Sequence, residues 1–551
     1  METAMDGNRV IEIFSGMKLA RGNMPNLWNE VIRFCFPQEP GTYGEAGNNE
    51  RQTGKRRTNP VCSYPVIYSQ RLGSSLHNSA FPNNNYWFSF GFCGVDLNEN
   101  FALKQWCRKA RDIVHNKIRQ GTNFYQESHA MMLGLATLGT AGFHTYYKRG
   151  RLFFRYIPIH KNFYIESNSD GEIDMACILH EWTAKEAIEE YGYDAVSDEV
   201  RNAMRSEYGK TRTFNYIQLV YPKTSFGEKC DVFKGDKPYG DITVEENTRN
   251  VVKVGGHIHF PFAVPRFLLA SDDVYGRSPA MNCMGAIRSV NALRKRVLDA
   301  ALRALAPAVF INSLINKPIS IEAGAINRIP NFDPNSIWTY PSPSNFPVGK
   351  DQMQELLEEL KHGFFIDVFQ AIDQQQYMTA TEITERVRQK IEGIAPIVSR
   401  LQKEFSQQVV TQALNLLIEH GEVEPPPLEA EGLAFEISYI SSIDAMMNQG
   451  VASSTMQFML QAGQIAQAYQ ANPDLNNIIN TEAVLKRLAD CAMLPASYFR
   501  TPEEAQAMRE NAARNAAELQ QAQSESAESQ AALNYARAEA ISRGNMNGVQ
   551  N

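Results

Sequence analysis

The stretch that most constrains the fold runs from Gly349 to Gly421 and has the apolar pattern of two successive helices. In its first part, apolar residues recur every three or four positions, which is the spacing of a helix that buries one face. They are Met353, Leu356, Leu357, Leu360, Phe364, Phe365, Val368, Phe369 and Ile372. This pattern predicts a single helix over 349–372.

A polar segment, residues 373–378, separates this helix from a second and longer one. Residues 379–382 (Thr-Ala-Thr-Glu) have the pattern of a capping box, in which the first and last side chains accept hydrogen bonds from each other's backbone amides. Apolar steps of three and four then predict a helix over 380–420, about 60 Å long and bent if Pro396 lies within it. Such a helix needs neighbours along its length, which indicates a subunit of an assembly.

Length and composition indicate a large protein of several domains that folds without disulfides. The chain has 551 residues, of which 43% are hydrophobic and 21% charged, so it can bury a sizeable core. Its eight cysteines form no CxxC pair, which predicts reduced thiols and a cytosolic folding compartment. We expect no secretory signal, because no basic region precedes an apolar run. We also expect no membrane span, because charges and Pro307 interrupt the best candidate, 297–315.

The net charge of −7 argues against a protein that grips nucleic acid over its whole surface. It is compatible with an acidic lumen that has a few basic contacts, because such a lumen avoids the affinity that comes from counterion release. A basic helix face is predicted within Pro279–Leu305, where proline occupies the first helical position. Its cations either form a solvated face or line a channel and meet phosphates: Arg288, Arg294, Lys295, Arg296 and Arg303.

Residues 1–278 have the pattern of one mixed α/β domain. Ser169-Asp170-Gly171 predicts a hairpin turn, and Pro238-Tyr239-Gly240-Asp241 predicts a loop. Helices are predicted over 8–36 (divided by Pro25), 66–80, 101–120 and 124–139. Strands are predicted over 86–92, 143–148, 152–158, 163–166, 175–182, 214–221 and 257–263.

The remaining segments read as a small insertion and a helical C-terminal part. Residues 306–348 are rich in Pro, Asn and Ser, with short strands predicted at 308–311 and 319–322, between two long helices. Three consecutive prolines, 425–427, mark a linker. Helices follow at 441–470, 481–492 and from Thr501, although residues 505–540 have few large apolar residues. Alone, that last segment is a marginal helix or disordered, and it needs copies of itself to form a stable barrel.

The sequence has no motif on which catalysis could rest. His257-Ile258-His259 would place two imidazoles on one face of a strand, but no third metal ligand is near, so we interpret them as ordinary strand histidines. Residues 47–55 have the wrong glycine spacing for a phosphate loop, and Arg56 stands where Ser or Thr should bind magnesium. We therefore predict no enzyme, no metal site and no cofactor.

Several segments resemble the head-to-tail connecting, or portal, proteins of short-tailed bacteriophages. Residues 74–88 are similar to that family's helix followed by an aromatic strand, and residues 262–281 to its "PRW … YGRSPAM" stretch, with Phe267 in place of the tryptophan. Residues 365–383 resemble its "MTATEV" element and the helix before it, and residues 494–504 its C-terminal region. The matches occur in order over residues 70–505, and the chain departs from the family chiefly at 141–260 and in the polar tail.

The resemblance implies a ring, usually of twelve subunits, at one capsid vertex, through which genomic DNA is packaged and later ejected. It implies no enzymatic activity, because the packaging ATPase is a separate protein that docks on the ring. The implied partners are further copies of the chain, double-stranded DNA, the packaging terminase, the major capsid and scaffolding proteins and tail adaptor proteins, with no membrane. The implied location is the virion, after assembly in the host cytoplasm.

The resemblance also implies the fold class: an α+β, mainly helical subunit of a ring. Its regions are an α/β wing (1–278), a first stem helix (279–305), a clip insertion (306–348), a second stem helix (349–372), a tunnel loop (373–379), a long kinked helix (380–420), a helical crown (428–500) and a polar C-terminal helix, in a barrel or disordered (501–551).

Three groups of site residues follow from this assignment. The DNA-channel cations are Arg288, Arg294, Lys295, Arg303 and Lys361. The tunnel loop, which otherwise is merely an exposed loop between helices, contains Asp373, Gln374, Gln375, Gln376 and Tyr377. The clip docking surface contains Asn331, Phe332, Asp333 and Trp338.

Two other classes of protein remain as alternatives. A capsid or tail adaptor subunit would also lack catalytic motifs, although adaptors are usually much shorter. A DNA-processing enzyme would need clustered carboxylates or a phosphate loop, which the sequence does not show.

Overall fold

A computed structural model describes most of the first 439 residues and parts of the C-terminal tail. The described residues are 5–37, 60–82, 86–92, 101–206, 209, 212–228, 236–271, 273–305, 309–311, 337–339, 347–373, 393–430, 435–439, 508, 511, 514–515, 517 and 528–538. The chain divides into two compact units, Met1–Met446 and Met447–Asn551. The first unit is mixed helix and strand, in agreement with the predicted α+β class.

The first unit begins with helices whose positions follow the apolar periodicity of the sequence. Asp6 caps the first helix, since its side chain accepts a hydrogen bond from the Arg9 amide at 2.9 Å. The predicted division at Pro25 is confirmed, with Pro25 in the first turn of the second helix. These helices are α1 (Gly7–Ala20), α2 (Met24–Cys35), α3 (Tyr64–Ala80), α4 (Phe101–Arg119) and α5 (Phe124–Leu138).

Among the described residues of this unit, ten strands form two antiparallel sheets and one separate pair. The strands are β1 (Phe88–Phe92), β2 (Gly142–Lys148), β3 (Arg151–Ile157), β4 (Phe163–Ser167), β5 (Ile173–Thr183), β6 (Thr213–Pro222), β7 (Tyr239–Glu245), β8 (Val251–His257), β9 (Phe262–Ala263) and, late in the chain, β12 (Phe435–Tyr439). The larger sheet has the strand order β4-β5-β6-β7-β8 and the smaller one β3-β2-β9, while β1 pairs with β12. Helices α6 (Ala184–Tyr191) and α7 (Asp198–Arg205) lie between β5 and β6.

One loop and one strand predicted for this part of the chain are wrong. The loop predicted at 238–241 is instead the start of β7. Gly240 lies opposite Tyr221 on the neighbouring strand, and the missing side chain of Gly240 leaves room for the tyrosine ring. The strand predicted over 257–263 is instead the end of β8, a turn and the short strand β9. Pro261 lacks an amide hydrogen for a continuous ladder, so the chain breaks there. The turn predicted at Gly171 is confirmed by its left-handed φ of 77°.

One large core joins the helices, the small sheet and the later helical segments. Its centre is aromatic, and Phe81 contacts Trp87, Phe124 and Phe405 at ring-centroid distances of 4.9, 5.3 and 5.7 Å. A second core lies between α1 and the five-stranded sheet, where Phe14 contacts Tyr164 edge to face at 4.9 Å. Aromatic pairs in these arrangements are more favourable than their buried area alone suggests.

The later part of the first unit contains helices and a short strand pair. They are α8 (Pro279–Asn282), α9 (Met284–Leu305), β10 (Val309–Ile311), β11 (Ile337–Thr339), α10 (Pro347–Gly363), α11 (Ile366–Asp373), α12 (Ala395–Leu401), a π-helical turn (Gln402–Gln407) and α13 (Gln408–Glu419). Pro396 lies in the first turn of α12, and residues 380–392 of the predicted long helix lie outside the described residues. The π-helical turn has no sequence signal and was not predicted.

The single helix predicted over 349–372 is instead two helices, α10 and α11. Phe364 and Phe365 form a turn between them, and Phe365 has a positive φ of 55°. The apolar period of the sequence continues across this break, because both phenylalanines still face the core side. Periodicity alone therefore could not locate it.

Candidate nucleic-acid interface

Helices α9 and α10 form an antiparallel pair, which we call the stem hairpin. The sulfur of Cys283, just before α9, fills the space where a Cβ on Gly363 at the end of α10 would lie. Farther out, Cγ2 of Val297 lies 3.4 Å from the Cβ position of Gly349 at the start of α10. The start of one helix therefore lies beside the end of the other, and both glycines allow close approach.

The stem hairpin is held in the core at one end and exposed at the other. Ile287 and Val290 on α9 are fully buried, as is Leu360 on α10. Farther along α9, Leu298 and Leu302 are 44% and 64% exposed. A single subunit therefore leaves an apolar part of this helix in water, which is typical of a surface that contacts another molecule.

Arg288, predicted as a channel cation, pairs with a carboxylate of its own subunit. Its Nε and Nη2 atoms donate to Oε1 and Oε2 of Glu30 on α2, both at 2.5 Å. This bidentate geometry is the strong form of an arginine–carboxylate contact. The hydrogen bonds raise the pKa of Arg288, so its guanidinium is charged but already has an anionic partner.

Arg294 and Lys295 are exposed cations on α9, and the neighbouring Arg296 is exposed as well. Within the part of the chain that the structure describes, none of the three has an ion-pair partner. Arg303 belongs to the last turn of α9. Arg294, Lys295 and Arg296 therefore remain available to an anionic surface outside the subunit.

Lys361, the predicted channel cation on α10, is close to an acidic residue of the same helix. Its Nζ lies 3.8 Å from Oε2 of Glu358, three positions earlier, and its side chain is 31% exposed. The other predicted cations lie on α9, so the structure places all five on one hairpin. Among those whose side chains are described, Arg294 and Lys295 are exposed and have no ion-pair partner within the described residues.

The structure describes only part of the predicted tunnel loop and clip. Asp373 is the last residue of α11, while Gln374, Gln375, Gln376 and Tyr377 lie outside the described residues. In the clip, β10 lies within the predicted strand 308–311, and β11 was not predicted. Trp338 lies at the centre of β11, opposite Phe310, while Asn331, Phe332 and Asp333 lie outside the described residues.

His257 and His259 do not share a strand face, so the interpretation of both as strand histidines is wrong. His257 is the last residue of β8, and its Nε2 lies 3.1 Å from Oδ2 of Asp241 on β7. Asp241 also accepts two hydrogen bonds of 3.0 Å from Gln218 on β6. Burial alone would raise the pKa of Asp241, but the hydrogen bonds from His257 and Gln218 lower it.

This series of side-chain hydrogen bonds continues to β5, where His180 lies 2.8 Å from the Gln218 side-chain oxygen. Burial lowers the pKa of His180 to about 4. These hydrogen bonds link four strands of the larger sheet and give the buried polar groups the partners that they require. Throughout the described residues, no group of three or more histidine, cysteine or carboxylate side chains is arranged to hold a metal ion.

Sequence reasoning missed an acidic face on the other helix of the hairpin. Exposed carboxylates follow α10 with the spacing i, i+4, i+7, i+8: Asp351, Glu355, Glu358 and Glu359. Residues with this spacing lie on one side of a helix. The spacing was present in the sequence, beside the apolar face that predicted the helix.

None of the described helices is long and apolar enough to cross a membrane. The cysteines that the structure describes are all free thiols: Cys35, Cys62, Cys107, Cys177 and Cys283.

Comparison with known proteins defines the class of protein. A family model described as "Bacteriophage head to tail connecting protein" matches residues 8–499. The portal protein of Salmonella phage epsilon15 is 21% identical over 525 residues, which cover 92% of this chain and 91% of that protein. The probable portal protein of Bordetella phage BPP-1 is 21% identical over 466 residues, covering 82% of this chain and 81% of that protein.

The chain belongs to the family of bacteriophage head-to-tail connecting proteins. The resemblance found in short sequence segments is thereby confirmed over nearly the whole chain.

Proposed function

We propose that this chain is a bacteriophage portal subunit, twelve copies of which form a ring at one capsid vertex. Double-stranded DNA passes through the ring during packaging and ejection. Beside family membership, the observation that carries this proposal is the stem hairpin, held in the core at one end and exposed at the other. A cyclic ring gives every subunit two neighbours, which cover surfaces that a lone subunit leaves in water.

The regions of the subunit take the roles of a portal ring. Residues 1–278 form the wing, 279–305 and 349–372 the two stem helices, and 306–348 the clip. Residues 373–379 form the tunnel loop and 380–420 the long helix. Residues 428–500 form the crown, and 501–551 form a polar C-terminal helix that belongs to a barrel or is disordered.

The stem cations give passing DNA a small number of phosphate contacts. Arg288, Arg294, Lys295, Arg303 and Lys361 have this role. The carboxylates that pair with Arg288 and Lys361 reduce the affinity of those two sites for phosphate. Because the subunit is acidic and makes few phosphate contacts, few counterions are released from the DNA. The affinity for DNA therefore stays low, and the DNA can move through the channel.

The polar tunnel loop and the clip contact other molecules of the virion. Asp373, Gln374, Gln375, Gln376 and Tyr377 face DNA. The clip surface with Asn331, Phe332, Asp333 and Trp338 binds the packaging terminase and, later, tail adaptor proteins. Major capsid and scaffolding proteins surround the ring, which assembles in the host cytoplasm and remains in the virion. No catalytic step and no cofactor is part of this function.

The experiment that tests the ring is native mass spectrometry of the purified protein, with class averages from negative-stain images. A closed ring with a central hole supports the proposal, and the mass gives the number of copies. A monomer or an open filament contradicts it and favours a capsid or tail adaptor subunit.

A second experiment tests the channel contacts. Replacing Arg294 by Ala should leave ring assembly intact and alter the retention of packaged DNA, because an accessible phosphate contact is removed. An unchanged packaging yield and unchanged retention would show that Arg294 does not meet DNA.

A further inference from the structure

The stem hairpin carries opposite charges on its two outer faces. On α9, residues Arg288, Lys295 and Arg296 lie within about 100° of one another around the helix axis, at 100° per residue. They form the basic face, which also contains Asp299. On α10, Asp351, Glu355, Glu358 and Glu359 form the acidic face.

The two faces point away from each other within one subunit. Val297 and Gly349, at which the helices touch, lie half a turn around their helices from Arg288 and Glu358, respectively. The basic face therefore cannot neutralise the acidic face of its own hairpin. Each face is directed outward, where another molecule could reach it.

Most of these charges are uncompensated inside the subunit. Over the described part of the chain, Lys295 and Arg296 have no ion-pair partner, and the same is true of Asp351 and Glu355. Arg288 is paired with Glu30, and Glu358 with Lys361. Lys295, Arg296, Asp351 and Glu355 thus lie toward the exposed end of the hairpin.

The positions of the free charges along the hairpin match. Cys283 lies beside Gly363, and Val297 lies beside Gly349. Each residue toward the C-terminus of α9 therefore corresponds to one residue toward the N-terminus of α10. The same register places Lys295 level with Asp351 and Arg288 level with Glu358. A rotation about a ring axis parallel to the hairpin does not change the position of a residue along that axis. Lys295 of one copy is therefore level with Asp351 of the next copy, and Arg288 with Glu358.

We propose that the basic face of α9 binds the acidic face of α10 in the next copy of this chain. The contact is heterologous, since two different surfaces of one chain meet head to tail, and such contacts close into rings. The exposed Leu298 and Leu302 flank the basic face and are covered at the same interface. This inference rests on the proposed ring, names the surfaces that build its stem, and assigns Arg288 and Lys295 to the interface between copies instead of to the channel.

The test reverses one face at a time and then mixes the variants. The basic-face variant carries Lys295→Glu and Arg296→Glu, and the acidic-face variant carries Asp351→Lys and Glu355→Lys. At about 0.1 M ionic strength, where screening extends about 10 Å, each variant alone juxtaposes like charges. We expect on the order of tenfold fewer closed rings from either variant, counted by native mass spectrometry.

An equimolar mixture of the two variants should restore rings. In alternating order, every interface then joins one acidic to one basic face again, which only a contact between different chains can achieve. Restored rings should contain equal numbers of the two variants, which differ in mass.

The matched control reverses an adjacent exposed pair elsewhere, Arg108→Glu with Lys109→Glu on α4. It changes the net charge by the same amount as the basic-face variant and should form rings like the unaltered chain. Circular dichroism of each variant before assembly checks that it is folded.

The outcomes separate this inference from the proposed function. If the unaltered chain forms no ring, the proposed function fails. If it forms rings and both reversed variants do so equally well, the inference alone is overturned. If the basic-face variant forms normal rings but releases packaged DNA earlier, Lys295 serves the channel and not the subunit interface.

Discussion

At the scale of single residues, the most consequential polar contact joins Arg266 to Glu404. Two guanidinium nitrogens of Arg266 donate to Oε1 of Glu404 at 3.2 and 2.7 Å, and the Arg266 amide donates to Oε2 at 2.8 Å. The arginine side chain is only 6% exposed. Because Glu404 lies in the π-helical turn, this pair fastens that turn to the segment between β9 and α8.

Glu404→Ala should destabilise the protein by about 3 to 5 kcal/mol, since it leaves a buried guanidinium without its anion. The free energy of unfolding from urea titration measures this loss. The adjacent Lys403→Ala is the control, because Lys403 is 70% exposed and pairs with an exposed Glu172. It should cost less than about 1 kcal/mol, and equal losses from both variants would contradict the assignment.

His77 makes stability depend on pH. Its imidazole lies 3.0 Å from the Ser128 hydroxyl and is 7% exposed. Burial, with His129 beside it, lowers the pKa of His77 from 6.5 to about 4. The unfolded chain therefore takes up this proton first, so the stabilising contribution is complete above pH 6.5 and is lost as pH falls toward 4.

Replacing His77 by Gln should flatten the dependence of unfolding free energy on pH between about 6.5 and 4. Urea titrations at several pH values across that window measure the slope. His362→Gln serves as the comparison, because His362 is 67% exposed. A slope that is unchanged by His77→Gln would show that other groups cause the pH dependence.

At the scale of elements, the stem hairpin depends on two close approaches of backbone and side chain. Gly363 has the Cys283 sulfur where its Cβ would be. Just beyond it, the positive φ of Phe365 separates α10 from α11, a conformation that costs roughly 1 to 3 kcal/mol for such a residue. The surrounding core, which includes the fully buried Phe364, holds the chain in this turn.

Gly363→Ala should destabilise the protein by roughly 1 to 3 kcal/mol, because the new methyl group collides with the sulfur of Cys283. Adding Cys283→Ala makes room for that methyl group and should recover most of the loss. The double-mutant cycle, measured by urea unfolding, should give a coupling energy of about 1 to 2 kcal/mol. Additive effects would mean that the two side chains do not compete for one space.

The sequence predicted most elements and few of the contacts that connect them. Helices such as Phe101–Arg119 have an apolar period that a local pattern reveals. The start of β7 at Tyr239 was missed because a Pro-Tyr-Gly-Asp sequence resembles a turn, while its glycine actually accommodates a ring on the neighbouring strand. The pairing of Arg266 with Glu404 joins positions far apart in sequence, which no local pattern reveals.

The same limit applies to the candidate site. The cations of α9 were visible as a basic helix face, but the partner of Arg288 lies on α2 and became apparent only in the fold. The acidic face of α10 was readable from its spacing. Its significance depends on which sides of two helices face outward, and that is a property of their packing.

At the scale of the whole molecule, the described cores lie within the unit Met1–Met446. A chain that ends at Met446 should therefore fold and melt within about 2 °C of the full-length subunit, less than the shift that 1 kcal/mol typically causes. Differential scanning calorimetry of the unassembled proteins measures this.

A chain that ends at Ala430 is the control, because it lacks β12 and leaves β1 without its partner strand. It should melt at a clearly lower temperature and aggregate, since an unpaired aromatic strand edge invites pairing between chains. If the chain ending at Met446 behaves in the same way, the fold of the first unit requires the C-terminal residues.

Because β1 pairs with β12, this part of the fold can be completed only after the chain has been synthesised as far as β12. Phe88–Phe92 leaves the ribosome early, and its partner, Phe435–Tyr439, is made hundreds of residues later. Closing so long a loop is slow, and the waiting edge is exposed meanwhile. A nascent chain that stops before β12 cannot complete this ladder, so a prematurely terminated subunit keeps β1 without its partner strand.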